Sequence, residues 1–248
     1  MRLIYTVINV NRIIMRLSIS DFHHFFLDLF FPNQCLVCSK GIFRSSDSIC
    51  TQCFMSFEKT NLGNWIENVS HSEGLDGVYS GWYFNDQIQR VIHSLKYEER
   101  ATLGWELGHH LENMLPLDQV GDLDFLIPVP LHSVKKRERG YNQAKWIAQG
   151  LSSIWKVPVD SSILKRKKYT ETQTMLSSIE RKQNMDKAFE VKKPMKGITI
   201  GIIDDVLTTG STLSACAVTL KEKGFQSVFA ISCSTPKLEK KKDLSQGK

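Results

Sequence analysis

The sequence predicts an α/β protein in which a parallel sheet is flanked by helices and preceded by a small cysteine-containing module. From residue 124 onward, apolar segments of strand length alternate with amphipathic helices, which is typical of parallel sheets covered on both faces. Four of the six cysteines lie in two Cys-x-x-Cys pairs. A chain of 248 residues can form one large core and a small accessory module.

Composition and charge are those of an ordinary globular protein. Hydrophobic residues make up 42% and charged residues 23%, and the net charge of +6 permits an anionic partner. No apolar run approaches the roughly 18 residues of a membrane helix, so membrane insertion is not expected. The basic, apolar opening is interrupted by Asn9, Asn11 and Arg12, and no small-residue cleavage site follows. We therefore expect no signal peptide and a cytoplasmic location, and Met15 is an alternative start that would leave residues 1–14 outside the native protein.

The paired cysteines have two interpretations. Eleven residues separate the pairs Cys35/Cys38 and Cys50/Cys53. They could form two disulfides of a secreted module, or four thiolates around one tetrahedral zinc ion. The missing export signal favours zinc. Four protein ligands leave no open position for water, so the zinc would be structural. Cys216 and Cys233, in contrast, are predicted to be core residues.

The elements group into three regions and a tail. The zinc-binding module is predicted at 21–60, and a polar linker follows. The α/β domain is predicted at 73–236, with a hood over about 73–115 that contains an aromatic strand and two helices, the first capped by Asn85. The core at 124–236 contains apolar strands that alternate with helices. The basic tail, 237–248, is expected to be solvated.

Two adjacent carboxylates, Asp204 and Asp205, follow the apolar strand ITIGII. Ligands of open parallel sheets bind beyond the carboxyl ends of the strands. The residues that lead into the next helix are Thr208, Thr209, Gly210, Ser211 and Thr212. The free N–H groups at the start of a helix attract anions. The pattern fits a phosphorylated sugar, with phosphate on the loop and carboxylates on the hydroxyls. The alternative is that these side chains only cap the turn and the helix.

A basic cluster follows the first core strand. It comprises Lys135, Lys136, Arg137 and Arg139. Guanidinium groups bind polyphosphate oxygens in a bidentate manner, so the cluster could bind a polyphosphate. The alternative is a solvated basic loop.

The stretch DDVLTTGST resembles the 5-phosphoribosyl-1-pyrophosphate (PRPP) motif of type I phosphoribosyltransferases. The resemblance implies that Asp204 and Asp205 bind the ribose hydroxyls and that 208–212 holds the 5-phosphate. It also implies a type I phosphoribosyltransferase-like parallel sheet, Mg²⁺ bound with PRPP, and displacement of pyrophosphate at C1 of the sugar. Purine-salvage members carry Asp where this chain has Thr208, which argues against a purine base as the acceptor.

Further motifs resemble the ComF (ComF/GntX-like) family over roughly 28–235. Besides the four cysteines and the Asp-Asp loop, the matching residues are Pro128-Val129-Pro130-Leu131-His132, Arg139-Gly140-Tyr141-Asn142-Gln143, Gln173, Arg181, Asn184 and Ala188-Phe189. The family combines a four-cysteine zinc module with a phosphoribosyltransferase domain. A lid over 165–185 is a further expectation.

The resemblance leaves two functions open. The first is a Mg²⁺-dependent phosphoribosyltransferase with an unidentified acceptor, in which residues 135–139 stabilise the leaving pyrophosphate. The second is a non-catalytic accessory protein of competence and single-stranded DNA uptake, which binds PRPP or a related nucleotide and has a protein partner such as a helicase. Direct DNA binding has little support, since the basic runs contain few aromatic residues.

Overall fold

The computed structural model describes residues 33–42, 47–60, 63–167 and 188–237. The chain divides into two compact units between Cys53 and Phe54. Several predicted features lie outside the described residues: the start of the zinc module, the lid over 168–185, the family residues Gln173, Arg181 and Asn184, and the tail from 238 onward.

The first unit contains a short antiparallel hairpin. β1 (Asn33–Gln34) pairs with β2 (Gly41–Ile42). The intervening turn is held by the Cys35 N–H, which donates to the Lys40 carbonyl at 2.9 Å. Helix α1 (Thr51–Ser56) begins directly after Cys50, and the boundary between the units falls within it. Tight local turns of this kind place the two cysteines of a pair close together in space.

Residues 54–60, predicted as the end of the zinc module, belong to the second unit. The ring of Phe57 lies 6.0 Å from the ring of Trp82. The Thr60 N–H donates to the Gly81 carbonyl at 3.0 Å. Both contacts join this segment to residues about 20 positions or more further along the chain.

A four-stranded parallel sheet forms the centre of the second unit. Its order is β3-β8-β7-β4, and every neighbouring pair is parallel. The strands are β3 (Gly77–Tyr83), β4 (Phe125–Pro128), β7 (Thr199–Val206) and β8 (Ser227–Thr235). A separate antiparallel pair is formed by β5 (Leu164–Arg166) and β6 (Phe189–Val191). The parallel sheet flanked by helices confirms the predicted fold class.

Helices cover the sheet. Those of the second unit are α2 (Asp86–Tyr97), α3 (Ala101–Leu111), α4 (Leu117–Val120), α5 (Ser133–Arg139), α6 (Gln143–Trp155) and α7 (Ser211–Lys221). The Asn85 side chain accepts from the Gln87 and Ile88 N–H groups at 3.1 and 3.0 Å, which is the predicted N-cap of α2. Among the described residues, no helix is both long enough and apolar enough to cross a bilayer.

Part of the segment predicted as a hood lies in the sheet itself. β3 forms an edge strand, with Val78 opposite Ala230 and Tyr79 opposite Ile231 of β8. Helix α3 from the same segment packs closely on α6: a Cβ added at Gly108 would lie 2.0 Å from the Ile147 carbonyl oxygen. The sequence pattern predicted β3 and α3 as a strand and a helix. It did not predict that β3 pairs with β8 or that α3 packs on α6, because these partners depend on the packing of the whole core.

The two faces of the sheet contact different helices. α7 contacts β6, β7 and β8, whereas α6 contacts β4 and β7 and α3 contacts β8. Ile200 and Ile202 pack with Cys216 of α7 in one buried cluster. Cys216 and Cys233 are both fully buried, which confirms that they are core residues. Because successive residues of a strand alternate between faces, β7 presents neighbouring side chains to different helices.

Candidate functional site

The four predicted ligand cysteines converge on one point. Their Sγ atoms all lie within 4.8 Å of one another, and the Sγ atoms of Cys38 and Cys50 are 3.9 Å apart. Sulfur atoms about 2.3 Å from a tetrahedral zinc ion are roughly 3.8 Å from each other. The spacing therefore fits one zinc ion, and the four residues are Cys35, Cys38, Cys50 and Cys53.

Backbone hydrogen bonds prepare Cys35 as a thiolate. Its Sγ accepts from the Val37 and Cys50 N–H groups, each at 3.4 Å. Desolvation raises the pKa of Cys35, but backbone hydrogen bonds from Cys50, Cys38 and Val37 outweigh it and lower the pKa to about 6. Burial raises the pKa of Cys53, and its neighbouring cysteines raise it further. The pKa values of Cys35 and Cys53 are thus shifted in opposite directions. A bound metal cation would remove this difference, because metal ligation requires all four cysteines as thiolates.

The second candidate site lies at the carboxyl edge of the parallel sheet. Asp204 and Asp205 are within β7, since Asp204 is opposite Ser232 and Val206 is opposite Ser234 of β8. After Val206 the chain turns and enters α7 at Ser211. The strand is thus longer than the predicted apolar run and includes both carboxylates. As in any strand, successive side chains point to alternate faces of the sheet.

The turn before α7 is docked on an earlier part of the chain. Gly210 has a φ of +82°, and a Cβ added there would lie 2.4 Å from the His71 carbonyl oxygen. The His71 N–H donates to the Thr209 carbonyl at 3.0 Å. Only glycine accommodates both this backbone conformation and this close approach. The polar linker predicted before residue 74 therefore supports the loop.

Hydroxyl groups of the loop are joined to one another. The Thr209 hydroxyl donates to Ser211 Oγ at 3.2 Å, and the Ser211 N–H donates to Thr209 Oγ1 at 3.4 Å. A small open cleft lies beside Ser211. Its lining brings together five predicted site residues, namely Asp204, Thr208, Gly210, Ser211 and Thr212, with Val206, Leu207 and Leu213. The cleft offers hydroxyls, the first N–H groups of α7 and one carboxylate.

Asp204 is the carboxylate of this cleft. Its Oδ1 accepts from the Asp205 N–H at 2.9 Å. Burial raises the pKa of Asp204 well above its ordinary value, and the negative charge of Asp205 raises it further. Asp204 is half-buried and lines the cleft, so its carboxylate can accept a hydrogen bond from a polar ligand there.

Asp205, beside it, contacts a lysine of α2. It is 5% exposed, and its Oδ2 lies 2.7 Å from the Lys96 Nζ. Its Oδ1 accepts from the Val206 N–H at 3.0 Å. Lys96 was not among the predicted site residues, although one signal was present: it lies four residues after Ile92, on the apolar stripe of α2. A lysine on a buried stripe requires an anionic partner.

The predicted basic residues lie on α5, which follows β4 at the same edge of the sheet. Lys135 and Arg137 are exposed. The Arg139 guanidinium lies over the Tyr97 ring, 5.3 Å from its centroid. Among the described residues, no hydrogen bond or ion pair joins these three cations to the loop at 208–212. These cations follow β4 at the carboxyl edge of the sheet, and no described contact joins them to the cleft residues.

The family residues that follow α5 have structural contacts. The Tyr141 hydroxyl donates to the Leu95 carbonyl of α2. The Asn142 side chain donates to the Val129 carbonyl at 3.0 Å and accepts from the Ala144 N–H at 3.0 Å, so it caps α6. This segment joins α2, β4 and α6 at the edge where the cleft opens.

Three relatives cover most of this chain. Competence protein F of Haemophilus influenzae is 39% identical over 221 residues, or 80% of this chain and 95% of the relative. Competence protein ComFC of Bacillus subtilis is 35% identical over 192 residues, or 77% of this chain and 72% of the relative. DNA utilization protein YhgH of Escherichia coli K12 is 30% identical over 200 residues, or 78% of this chain and 86% of the relative.

Solved structures are less similar. The allosteric regulatory enzyme of purine biosynthesis has a TM-score of 0.37 and 19% identity, covering 54% of this chain and 25% of its own. This chain thus spans about a quarter of that enzyme. Purine phosphoribosyltransferase from Pyrococcus horikoshii has a TM-score of 0.31 and 18% identity, covering 55% of this chain and 71% of its own. No protein-family model matches the chain.

The family assignment rests on the relatives and on the structure together. The two competence proteins are at least 35% identical to this chain over at least 72% of each sequence. The cysteine cluster and the parallel sheet lie where the family motifs predict them. The chain therefore belongs to the ComF family.

Proposed function

We propose that this protein binds PRPP, or a related phosphorylated sugar or nucleotide, in the cleft beside Asp204. One observation carries the proposal: the half-buried Asp204 carboxylate and the hydroxyl-rich start of α7 line the same cleft. The loop from Thr208 to Thr212 would hold the 5-phosphate through N–H and hydroxyl groups. The Asp204 carboxylate would accept a hydrogen bond from a ribose hydroxyl.

The basic helix α5 would act on the pyrophosphate of PRPP. Lys135, Arg137 and Arg139 follow β4, which pairs with β7 in parallel, so their helix starts at the edge where the cleft opens. Guanidinium groups suit phosphate oxygens, and exposed side chains are free to reach them. Their charge would stabilise pyrophosphate as the bond at C1 of the sugar breaks.

Mg²⁺ would enter with PRPP, coordinated by the pyrophosphate oxygens. Among the described residues, the cysteine cluster is the only group of three or more His, Cys, Asp or Glu side chains arranged to hold a metal. A hard, oxygen-preferring cation that is not held by a protein cage is commonly bound through substrate phosphates. When bound, it would neutralise charge on the leaving group.

The four cysteines would hold a structural zinc ion. All six cysteines of the chain are free thiols, and four of them have the spacing of a tetrahedral site. Thiols persist in reducing compartments, which supports a cytoplasmic location. The zinc would stabilise the first unit, which has only two short strands among its described residues.

A second candidate function is non-catalytic. The names of the relatives refer to competence and to DNA utilization. In this alternative, PRPP or a nucleotide binds as a signal, and the protein assists single-stranded DNA uptake with a partner such as a helicase. Both candidate functions use the same cleft residues. They differ in whether the bound PRPP is converted, so a measurement of turnover distinguishes them.

Isothermal titration calorimetry with PRPP and Mg²⁺ tests the binding proposal, and pyrophosphate release against a panel of bases and amines tests turnover. We expect saturable binding that is weakened about tenfold or more in Asp204→Asn and kept in Asp76→Asn. Asp76 is a suitable control because it also contacts a lysine, Lys221, but precedes β3 at the opposite edge of the sheet. Binding without pyrophosphate release would favour the accessory function. Wild-type protein that binds neither PRPP nor a ribonucleotide such as AMP in the same titration would contradict both.

A further inference from the structure

The two-stranded ribbon of β5 and β6 has an apolar inner face and a charged outer face. Across the ribbon, Leu164 lies opposite Val191, and Lys165 lies opposite Glu190. Leu164 and Val191 are buried, whereas Lys165 is exposed. Residues that lie opposite each other point to the same face of a ribbon, and successive pairs alternate between its faces. The first pair therefore packs against the core, and the second pair faces solvent.

The next pair places an arginine on the inner face. Arg166 lies opposite Phe189, which is only 2% exposed, and the Arg166 Cζ atom lies over that ring, 5.5 Å from its centroid. Arg166 is half-buried, whereas its neighbours Lys165 and Lys167 are exposed. Of these three consecutive cations, only the arginine is directed into the fold. A charge in such a position costs free energy unless an anion compensates it.

The Arg166 guanidinium has no anionic partner among the described residues. Its Nε atom is buried there without a hydrogen bond. The nearby Lys192 and Lys193, in contrast, are paired with Glu190 and Asp160 at 2.8 and 3.1 Å. An arginine cannot relieve its burial by losing a proton, because the guanidinium stays charged in proteins. The side chain therefore needs an anion from elsewhere.

Arg166 lies on the side of the sheet where the cleft opens. Helix α7 contacts both β6 and β7, and Leu213, which lines the cleft, belongs to the same buried cluster as Phe189. Cys216 lies on α7 three residues after Leu213. Burial raises the pKa of the Cys216 thiol, the negative charge of Asp204 raises it further, and the positive charge of Arg166 lowers it. The thiol thus lies within electrostatic range of both charges.

The cleft lacks a cation on this side. The start of α7 supplies uncharged donors, namely backbone N–H groups and the hydroxyls of Thr208, Ser211 and Thr212. The cations of α5 have no described contact with the cleft residues. A phosphate group carries up to two negative charges and three acceptor oxygens, so uncharged donors and a guanidinium can bind it together.

We propose that Arg166, stacked on the ring of Phe189, binds a phosphate group of the ligand on the α7 side of the cleft. The inference rests on the proposed function, because the phosphate belongs to the ligand of that cleft. It adds a binding residue that the predicted site did not contain. PRPP offers two such groups, the 5-phosphate and the pyrophosphate, and the position beside α7 favours the 5-phosphate.

Calorimetric titration with PRPP and Mg²⁺ tests the assignment on Arg166→Met and Arg166→Lys. Lys165→Met is the matched control, since it removes the same charge from the outer face of the same strand. We expect Arg166→Met to weaken PRPP binding about tenfold or more. Arg166→Lys should lose less, because lysine keeps the charge without the bidentate fork. Lys165→Met should change affinity less than about twofold. Equal losses from Arg166→Met and Lys165→Met would overturn the assignment.

Two partial ligands identify which phosphate the guanidinium contacts. Ribose 5-phosphate and pyrophosphate are titrated separately into wild-type protein and Arg166→Met. A loss of affinity confined to ribose 5-phosphate would support contact with the 5-phosphate. A loss confined to pyrophosphate would keep the guanidinium as a phosphate-binding group but move it to the leaving group. Unchanged affinity for both would overturn the subsite.

Thermal unfolding without ligand distinguishes binding from a structural role. Arg166→Met removes a half-buried charge that has no described partner, so Tm should be unchanged or higher. A Tm that is lower by about 3 °C or more would show that the chain itself supplies an anion, and would overturn the inference. Wild-type protein that binds PRPP as well as Arg166→Met does would refute the subsite alone. Wild-type protein that binds none of these ligands would refute the proposed function and the subsite with it.

Discussion

The cysteine module and the carboxyl edge of the sheet differ in how their chemical groups are assembled. All four cysteines lie between residues 35 and 53, and two local turns bring their sulfur atoms within 4.8 Å of one another. At the sheet edge, Lys96, Asp205 and His71 come from three distant segments. A site made of neighbouring residues can be identified from spacing, whereas a site made of distant residues needs the fold.

The difference has an energetic counterpart. In the module, ligand binding and folding are expected to be one process, because little else holds such a short segment. At the sheet edge, a large buried core holds the elements together, and it supports carboxylates in environments that would be costly elsewhere. Substitutions should therefore unfold the cysteine module, whereas at the sheet edge they should mainly change ligand affinity and stability without unfolding the protein.

The largest effect is expected from Cys50→Ser. We expect it to abolish zinc binding and unfold residues 33–53, because the three remaining ligands cannot complete the tetrahedral site. Atomic emission and nuclear magnetic resonance of the module measure both losses, while the thermal transition of the sheet unit should stay in place. Cys233→Ala removes a thiol from the sheet and should keep one zinc per chain. A Cys50→Ser protein that still binds one zinc would break the comparison.

A smaller, measurable loss of stability is expected from Gly210→Ala. The new Cβ would meet the His71 carbonyl at 2.4 Å, in addition to the strain of a φ of +82°. Urea denaturation should show a loss of about 2 kcal/mol or more, and PRPP affinity should fall with it. Gly140→Ala is the matched control, since its φ of +74° lies in the same left-handed region with nothing within 4 Å of the new Cβ, and it should cost only about 1 kcal/mol. Equal losses would show that docking on residue 71 is unimportant.

Asp204→Asn should affect affinity and stability in opposite directions. The amide loses charge-assisted acceptance, about 1.5–3 kcal/mol per bond, so PRPP affinity should fall about tenfold or more. Stability should rise, because burial raises the pKa of Asp204 and makes its ionised form costly in the folded state.

The sign of this stability gain follows from linkage. A raised carboxyl pKa makes wild-type protein lose stability as the pH increases from the ordinary value of 3.8 through the folded value. The gain in Tm for Asp204→Asn should therefore be absent below about pH 4 and grow with pH. Thermal scans across this range measure it. A variant that is less stable than wild type at neutral pH would favour a capping role for Asp204.

The smallest effect is expected from the loop hydroxyls. Thr209→Val with Ser211→Ala removes a hydroxyl pair that is joined at 3.2 Å. Backbone N–H groups at the start of α7 would still hold a phosphate, so PRPP affinity should fall only a few-fold, about 1 kcal/mol. Calorimetry on this variant and on Asp204→Asn shows which of the two loses more PRPP affinity. A larger loss from the hydroxyls than from the carboxylate would reverse the proposed roles.

Sequence alone determined the features that depend on short spacing. The cysteine pairs predicted which four sulfur atoms converge, because a metal knuckle needs two cysteines three positions apart. Apolar periodicity identified the strands of the parallel sheet and the helices that flank it. An element that is buried on one face or on both repeats its apolar residues at a spacing typical of that element. The run from Asp204 to Thr212 identified the loop that lines the cleft.

Tertiary structure alone decided how those elements are used. It placed β3, predicted as part of a hood, at an edge of the sheet, because a strand can satisfy its backbone only beside a partner. It also placed Lys96 against Asp205 and left Asp204 in the cleft. Adjacent residues of a strand face opposite ways, and only the packed helices determine what each one meets. The motif specified two carboxylates that influence each other, and the fold placed the lysine and the cleft beside them.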